Sequence, residues 1–275
     1  MIEKVIKRVV KGQQVSDGAG VSLNRLIANS KVNNIDPFFL LDEFRSKNPD
    51  DYIAGFPMHP HRGIETITYI IEGSFKHKDS RDGGGLLKSG DVQWMTAGKG
   101  IQHEEMPAME KGHLWGYQLW LNLPKKMKWL EPKYQYLSKG KIPVIKKEGV
   151  KIIVISGSIE GINGPAQNSV PSEYYDVYLR KGKKIKLNAK KDFNSLVYIH
   201  SGRVKIQNED FEKGELIEFV EDKEINIESV SVDSGFLFLS AKPNKEPYAR
   251  GGPFVMNTRE EIIQAFDDYE KGKLF

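Results

Sequence analysis

Two short stretches restrict this chain more than any other feature: Gly55-Phe-Pro-Met-His59-Pro-His61-Arg-Gly-Ile-Glu65 and Trp94-Met-Thr-Ala-Gly98-Lys-Gly100-Ile-Gln-His103-Glu-Glu105. Side chains two apart on an extended strand share a face, so His59 and His61 project together, as do His103 and Glu105. Where two such strands pair or face one another across a small barrel, three imidazoles and a carboxylate converge. That donor set suits a divalent transition metal and leaves coordination positions open. A lone His-x-His is common on protein surfaces, but here two pairs share one spacing and are punctuated by Gly55, Gly63, Gly98 and Gly100, which let the backbone turn tightly. His77, His113 and His200 lack such company and read as surface or supporting residues.

Composition narrows the chemistry. The chain has no cysteine, which excludes disulfides, thiolate ligands, iron–sulfur clusters and a cysteine nucleophile, so any metal takes nitrogen and oxygen donors. Its 275 residues, 39% hydrophobic and 28% charged, suffice for two globular domains. No apolar run approaches the roughly 20 residues that cross a bilayer, and the first residues lack the apolar core of a signal peptide. No membrane partner and a cytoplasmic location are therefore expected. The net charge of +4 is mild, and acidic residues interrupt the lysine clusters at 125–128, 139–147, 181–191 and 203–213. These clusters read as solvated faces, and no direct nucleic-acid contact is expected.

Strand patterns dominate the rest. Residues 5–10, 21–27 and the apolar run 37–44 read as strands, with Asp42 and Glu43 closing that run or reaching toward a polar site. Residues 65–80 read as a strand, a tight turn at Glu72-Gly73 and a return strand. On the aromatic-rich strand 113–124, Gln118, Trp120 and Asn122 share one face, and Trp120 reads as core before substrate contact. The Lys- and Pro-rich stretch 125–148 is the linker candidate. Beyond it, residues 196–206 repeat the pattern of 67–75, and residues 211–219 echo 87–95. The second half thus reads as a diverged copy that has lost His-x-His and His-x-Glu. The predicted division is 1–135 for a metal-binding domain and 136–275 for a domain without metal. The latter ends in a docking helix with a Thr258/Glu261 capping box and an apolar stripe of Ile262, Ile263, Phe266 and Tyr269.

Five segments together carry a family resemblance: Phe56-Pro-Met-His-Pro-His-Arg-Gly-Ile-Glu-Thr66, Asp91-Val-Gln-Trp-Met-Thr-Ala-Gly-Lys-Gly-Ile-Gln-His-Glu-Glu-Met-Pro107, Gln118-Leu-Trp-Leu-Asn-Leu123, Glu131-Pro-Lys-Tyr134 and Gly252-Pro-Phe-Val-Met-Asn-Thr258. In this order, within a span from near residue 37 to near residue 260, they resemble the pirins, two-barrel members of the cupin superfamily. The resemblance implies an all-β bicupin, two jelly-roll β-barrels with a short C-terminal helix. It also implies one iron(II) in the N-terminal barrel, on residues matching His59, His61, His103 and Glu105. The donors alone accept Mn, Ni, Co or Cu as well, whereas four ligands would close the shell of zinc. In many other cupins the carboxylate ligand lies at the spacing of Glu65, so Glu65 is the second candidate and is expected to support the site. Arg62, Trp94 and Gln118 are pocket candidates. Gly98 stands where the wider cupin pattern has proline, a departure that pirins share.

Two roles follow from the resemblance. One is quercetin 2,3-dioxygenase activity: a flavonol binds the metal through an oxygen, Glu105 accepts its proton, and dioxygen cleaves the heterocyclic ring with release of carbon monoxide. The other is a redox-sensitive regulator that modulates transcription factors or metabolic enzymes by protein contact. The chain has no run of basic residues for nuclear import, and the enzyme is the expected role.

Overall fold

The computed structural model describes residues 5–274, which form two all-β units. The first unit comprises residues 13–139 and 244–274. Its seven-stranded sheet runs in the order Lys133–Leu137, Val92–Thr96, Ile64–Glu72, Leu114–Asn122, Phe38–Ser46, Val21–Ile27 and Gln13–Asp17. Its four-stranded sheet runs Phe56–His61, Ile101–Pro107, Ser74–Asp79 and Gly84–Lys88. Val21, Leu23, Phe44 and Ile70 from the larger sheet pack with Phe75 and Leu87 from the smaller, so the apolar faces of the two sheets make one core. Each such fully buried side chain contributes about 1.5–3 kcal/mol relative to exposure.

The turn at Glu72-Gly73 is not a hairpin. Ile64–Glu72 bonds to Val92–Thr96 and Leu114–Asn122, whereas Ser74–Asp79 bonds to Ile101–Pro107 and Gly84–Lys88. Gly73 is a corner at which the chain passes from one sheet to the other, and Ile70 and Phe75 enter the same core from its two sides. Period-two patterning is the same for a hairpin and for such a corner, which is why the sequence alone favoured the simpler turn.

The second unit, residues 5–12 and 140–243, repeats the plan. Its two main sheets have seven and four strands, and Gly202 separates Asn194–Ser201 in the larger from Arg203–Ile206 in the smaller. Val177, Val197, Ile199, Ile217, Phe236 and Phe238 anchor its core.

Three expectations about organisation change. The stretch 125–148 is not a bare linker: Lys133–Leu137 pairs with Val92–Thr96 in the first unit, and Val144–Lys147 with Val150–Ser156 in the second. Strand Ile6–Lys11 pairs with Glu215–Phe219 and so belongs to the second unit. The Arg259–Glu270 helix belongs to the first, where Ile262 and Ala265 bury against Phe254 and Met256. Its capping box forms as the sequence indicates, but Ile263 stays exposed and Ala265 takes its place in the core. Among the described residues no helix is long and apolar enough to cross a membrane.

Candidate metal centre

Strand Phe56–His61 lies at the edge of the four-stranded sheet, where Pro57 and Pro60 interrupt no inner ladder. Its antiparallel pairing with Ile101–Pro107 sets His59 opposite His103 and His61 opposite Ile101. The three imidazoles gather: ring centroids are 4.8 Å apart for His59 and His61, 4.5 Å for His59 and His103, and 5.0 Å for His61 and His103. Their candidate ligand atoms all lie within 4.8 Å of one another.

Each ring is oriented by its other nitrogen. His59 Nδ1 lies 2.8 Å from the Pro57 carbonyl and His61 Nδ1 3.2 Å from that of Pro253, so each donates its N–H there and keeps a lone pair on Nε2. His103 Nε2 is buried without a protein partner, an arrangement costing about 1–3 kcal/mol that a bound cation would relieve. Burial first, and neighbouring imidazoles second, hold His61 and His103 well below the ordinary histidine value. Both rings are neutral at pH 7, the form that binds metal. The donor set therefore fits a divalent transition metal.

Glu105 enters differently. Against Phe56–His61 the register shifts between His103 and Glu105, so Glu105 opposes Phe56, while the regular pairing with Ser74–Asp79 sets it opposite His77. Its Oε1 accepts from Thr68 Oγ1 at 2.6 Å and Gln93 Nε2 at 2.9 Å, and its Oε2 accepts from Gln118 Nε2 at 2.7 Å. By distance it groups with His77 and His103, while His103 also belongs to the group with His59 and His61. The four expected residues thus fall into two overlapping clusters that share His103.

His77 is the residue that sequence reading undervalued. It is buried, its Nε2 lies 3.2 Å from Asp79 Oδ2, and its ring stacks on Tyr134 at 4.7 Å. A signal was present: Phe75, His77 and Asp79 alternate with Lys76 and Lys78, and His77-x-Asp79 has the spacing of His103-x-Glu105.

The pocket candidates separate. Gln118 lines the cavity beside the histidines, and so does Trp120, which packs against the Phe39, Ile64 and Met95 core cluster and also meets the His61 ring edge-on at 4.9 Å. Arg62 has the opposite parity to His61 and turns away, donating Nε to the Lys99 carbonyl and Nη1 to Asp268 Oδ2 at 2.7 Å on the C-terminal helix. Trp94 is fully buried and does not line the cavity; its neighbour Gln93 is the one that reaches Glu105. Glu65 is buried, accepts from Thr96 Oγ1 at 2.9 Å, and belongs to neither cluster.

Close backbone approach fixes the ends of the two ligand-bearing stretches. The Gly63 N–H donates to the Gly98 carbonyl at 2.8 Å. A Cβ would stand 1.9 Å from the Val255 carbonyl oxygen at Gly63 and 2.0 Å from that of Leu130 at Gly98, and both residues have positive φ. Behind Gly63, buried Lys128 Nζ donates to the carbonyls of Gly63 and Val255 and to Asn122 Oδ1.

The cavity measures about 600 Å³, within the range of small-molecule sites. Leu23, Leu40, Phe44, Phe56 and Trp120 supply apolar wall, and His59, His61, Glu105 and Gln118 face the same space.

Residues 20–121 match the family model Pirin, and residues 174–275 match the model Pirin C-terminal cupin domain. A pirin-like protein of Caulobacter vibrioides is 40% identical over 271 residues, 98% of each chain. A Pseudomonas aeruginosa protein provisionally named quercetin 2,3-dioxygenase is 41% identical over 274 residues, covering 96% of this chain and 95% of its own. The crystal structure of a quercetin 2,3-dioxygenase from Acinetobacter baumannii matches with a TM-score of 0.91 at 33% identity, over 99% of both chains. Matched by family models in both halves and nearly end to end by such relatives, this bicupin chain belongs to the pirin family.

Proposed function

We propose that the chain is a metal-dependent dioxygenase that cleaves quercetin-type flavonols, with iron(II) held by His59, His61 and His103 and with Glu105 as the fourth donor. The observation that carries this reading is the opening of two oriented imidazoles and Glu105 onto one apolar-walled cavity of about 600 Å³. The names of the Pseudomonas and Acinetobacter relatives point the same way.

The ion would supply Lewis-acid polarisation of a substrate oxygen and redox contact with dioxygen. The chain's own residues do the rest. Leu40, Phe44, Phe56 and Trp120 offer apolar surface to a flat aromatic ligand and exclude water around it. Thr68 and Gln93 fix the Glu105 carboxylate through Oε1, which leaves Oε2, held only by Gln118, as the end that receives a substrate hydroxyl proton. The substrate O–H bond breaks and the proton passes to Oε2. Ring cleavage then consumes dioxygen and releases carbon monoxide.

Quercetin absorbs visible light, so the test is direct. Iron- or manganese-loaded protein in air should bleach it and release carbon monoxide faster than the same concentration of free metal. No excess over free metal would reject the enzyme reading and favour a redox-sensitive regulator.

A further inference from the structure

Two arginines line the cavity in different circumstances. Arg25 is paired with two carboxylates: its Nε and Nη2 clasp Asp42 at 2.9 and 2.7 Å, and Nη2 also reaches Asp17 at 2.5 Å. Arg250 has no carboxylate within ion-pair distance among the described residues. Its Nη1 donates to the Phe39 carbonyl at 3.0 Å, its Nε makes a long 3.5 Å contact with the Gly252 carbonyl, and among the described residues its Nη2 has no hydrogen-bond acceptor. Burial and the nearby Arg25 both disfavour the Arg250 cation, with the Asp42 carboxylate the largest offset. The bond to Phe39 anchors strand Ala249–Gly251 without need of charge, and the cation–π contact with Trp120 uses the guanidinium face, so these structural contacts leave Nη2 to meet a ligand.

The surroundings define what could meet that charge. The guanidinium carbon lies 5.1 Å from the Trp120 ring centroid, and the His61 ring lies 4.9 Å from the same centroid. One aromatic residue therefore contacts both Arg250 and a candidate metal ligand. Arg25 and Arg250 line the cavity together with the carboxylates of Asp17, Asp42 and Glu105. With a divalent ion on neutral imidazoles, two guanidiniums and the ion outweigh three carboxylates by one positive charge. A loaded cavity of this kind favours an anion, and a guanidinium with free donors recognises a carboxylate best.

We propose that Arg250 is a carboxylate-recognising subsite, and that the cavity prefers small planar aromatic acids carrying metal-chelating hydroxyls over their uncharged counterparts. This rests on the reading above that the cavity takes a small molecule beside a bound ion, but not on turnover. Trp120 supplies the surface for the ring, the ion takes the hydroxyl end, and Arg250 takes the acid.

The experiment compares catechol with 3,4-dihydroxybenzoate, which share the chelating end and differ by the carboxylate. Binding to the nickel-loaded full chain is measured by calorimetry under argon at pH 7. The wild type should bind 3,4-dihydroxybenzoate about 10- to 100-fold more tightly than catechol. Arg250→Gln should abolish that preference at unchanged nickel content, and Arg250→Lys should retain part of it. Equal affinity of the wild type for both probes, no binding of either, or a preference that survives in Arg250→Gln would overturn the proposal. Because no oxygen is present, a protein that fails to cleave quercetin yet shows the Arg250-dependent preference rejects the flavonol reading and sustains this one.

Discussion

Nδ1 of His103 lies 3.4 Å from Nδ1 of His77, so the two nitrogens share a single proton between them. Asp79 decides which of them holds it. Its Oδ2, 3.2 Å away, accepts from His77 Nε2–H, which makes His77 Nδ1 the acceptor and His103 Nδ1–H the donor. The lone pair of His103 is thereby placed on Nε2, the buried atom without a protein partner. A carboxylate and two imidazoles in series orient a candidate ligand, an extended form of the carboxylate–histidine support common at metal sites.

His77→Phe keeps an aromatic ring against Tyr134 but removes the acceptor. Metal affinity, measured by chelator competition, should fall about 10- to 100-fold. His77→Gln, whose amide oxygen accepts, should lose less. Unchanged affinity in His77→Phe would show that His103 needs no such partner.

Glu105 and Glu65 are separated by their environments. Glu105→Gln keeps an oxygen donor but loses the charge that takes up a proton, so flavonol turnover should fall about 10²- to 10⁴-fold, further than metal content does. Glu65→Gln, whose side chain meets Thr96 away from the cavity, should leave metal content near the wild-type level. Metal analysis alongside quercetin bleaching reads both; loss of metal in Glu65→Gln with full activity in Glu105→Gln would exchange the two roles.

Lys128 gives the fold a pH signature. Burial pulls its ammonium down from 10.5 to about 7, with the more distant carboxylates of Glu261, Glu246 and Asp36 opposing. A lysine depressed on folding costs stability while both states are charged, and the cost is relieved as pH rises from the folded value toward the unfolded one. The stability of the wild type relative to Lys128→Met should therefore increase between pH 7 and 10.5. Urea unfolding of both proteins across that window checks it, and a difference that stays flat with pH would mean that Lys128 is not depressed.

The backbone approach at Gly63 has an internal control. Gly161 also has positive φ, but a Cβ there meets nothing within 4 Å, so Gly161→Ala should cost only about 1–2 kcal/mol. Gly63→Ala adds the collision with the Val255 carbonyl and should cost about 3 kcal/mol or more. Equal losses in thermal unfolding would show that the neighbouring strand yields freely.

Much of this site was legible in the sequence because strand parity is local. His59-x-His61 and His103-x-Glu105 each declare an inward face, and antiparallel pairing of their strands brings His59 opposite His103. The same parity contradicts the expectation that Arg62 lines the pocket, since Arg62 turns away once His61 turns in. What could not be read is what depends on distant partners. The register shift that sets Glu105 opposite Phe56, and the pairing that sets it opposite His77, arise between strands and leave no mark on any one of them. The corner at Gly73 looks like a hairpin until the neighbours of each strand are known. The placement of Ile6–Lys11 with residues 215–219 and of the last helix with the first unit rests on contacts between segments far apart in the chain, which no local pattern encodes. Arg250 was equally silent, since an arginine in a short C-terminal strand resembles any surface cation until the cavity beside it appears.

One ion on His59, His61 and His103 would make this a mononuclear centre. Metal content of the full chain, purified without chelator and measured by elemental analysis, tests it most directly, with the His59→Ala/His61→Ala double variant alongside. The wild type should carry about one transition-metal ion per chain and the folded double variant close to none, as expected when two of three imidazole donors are removed. A wild type without metal, a ratio near two, or a double variant that keeps its ion would contradict the assignment of the centre to these residues.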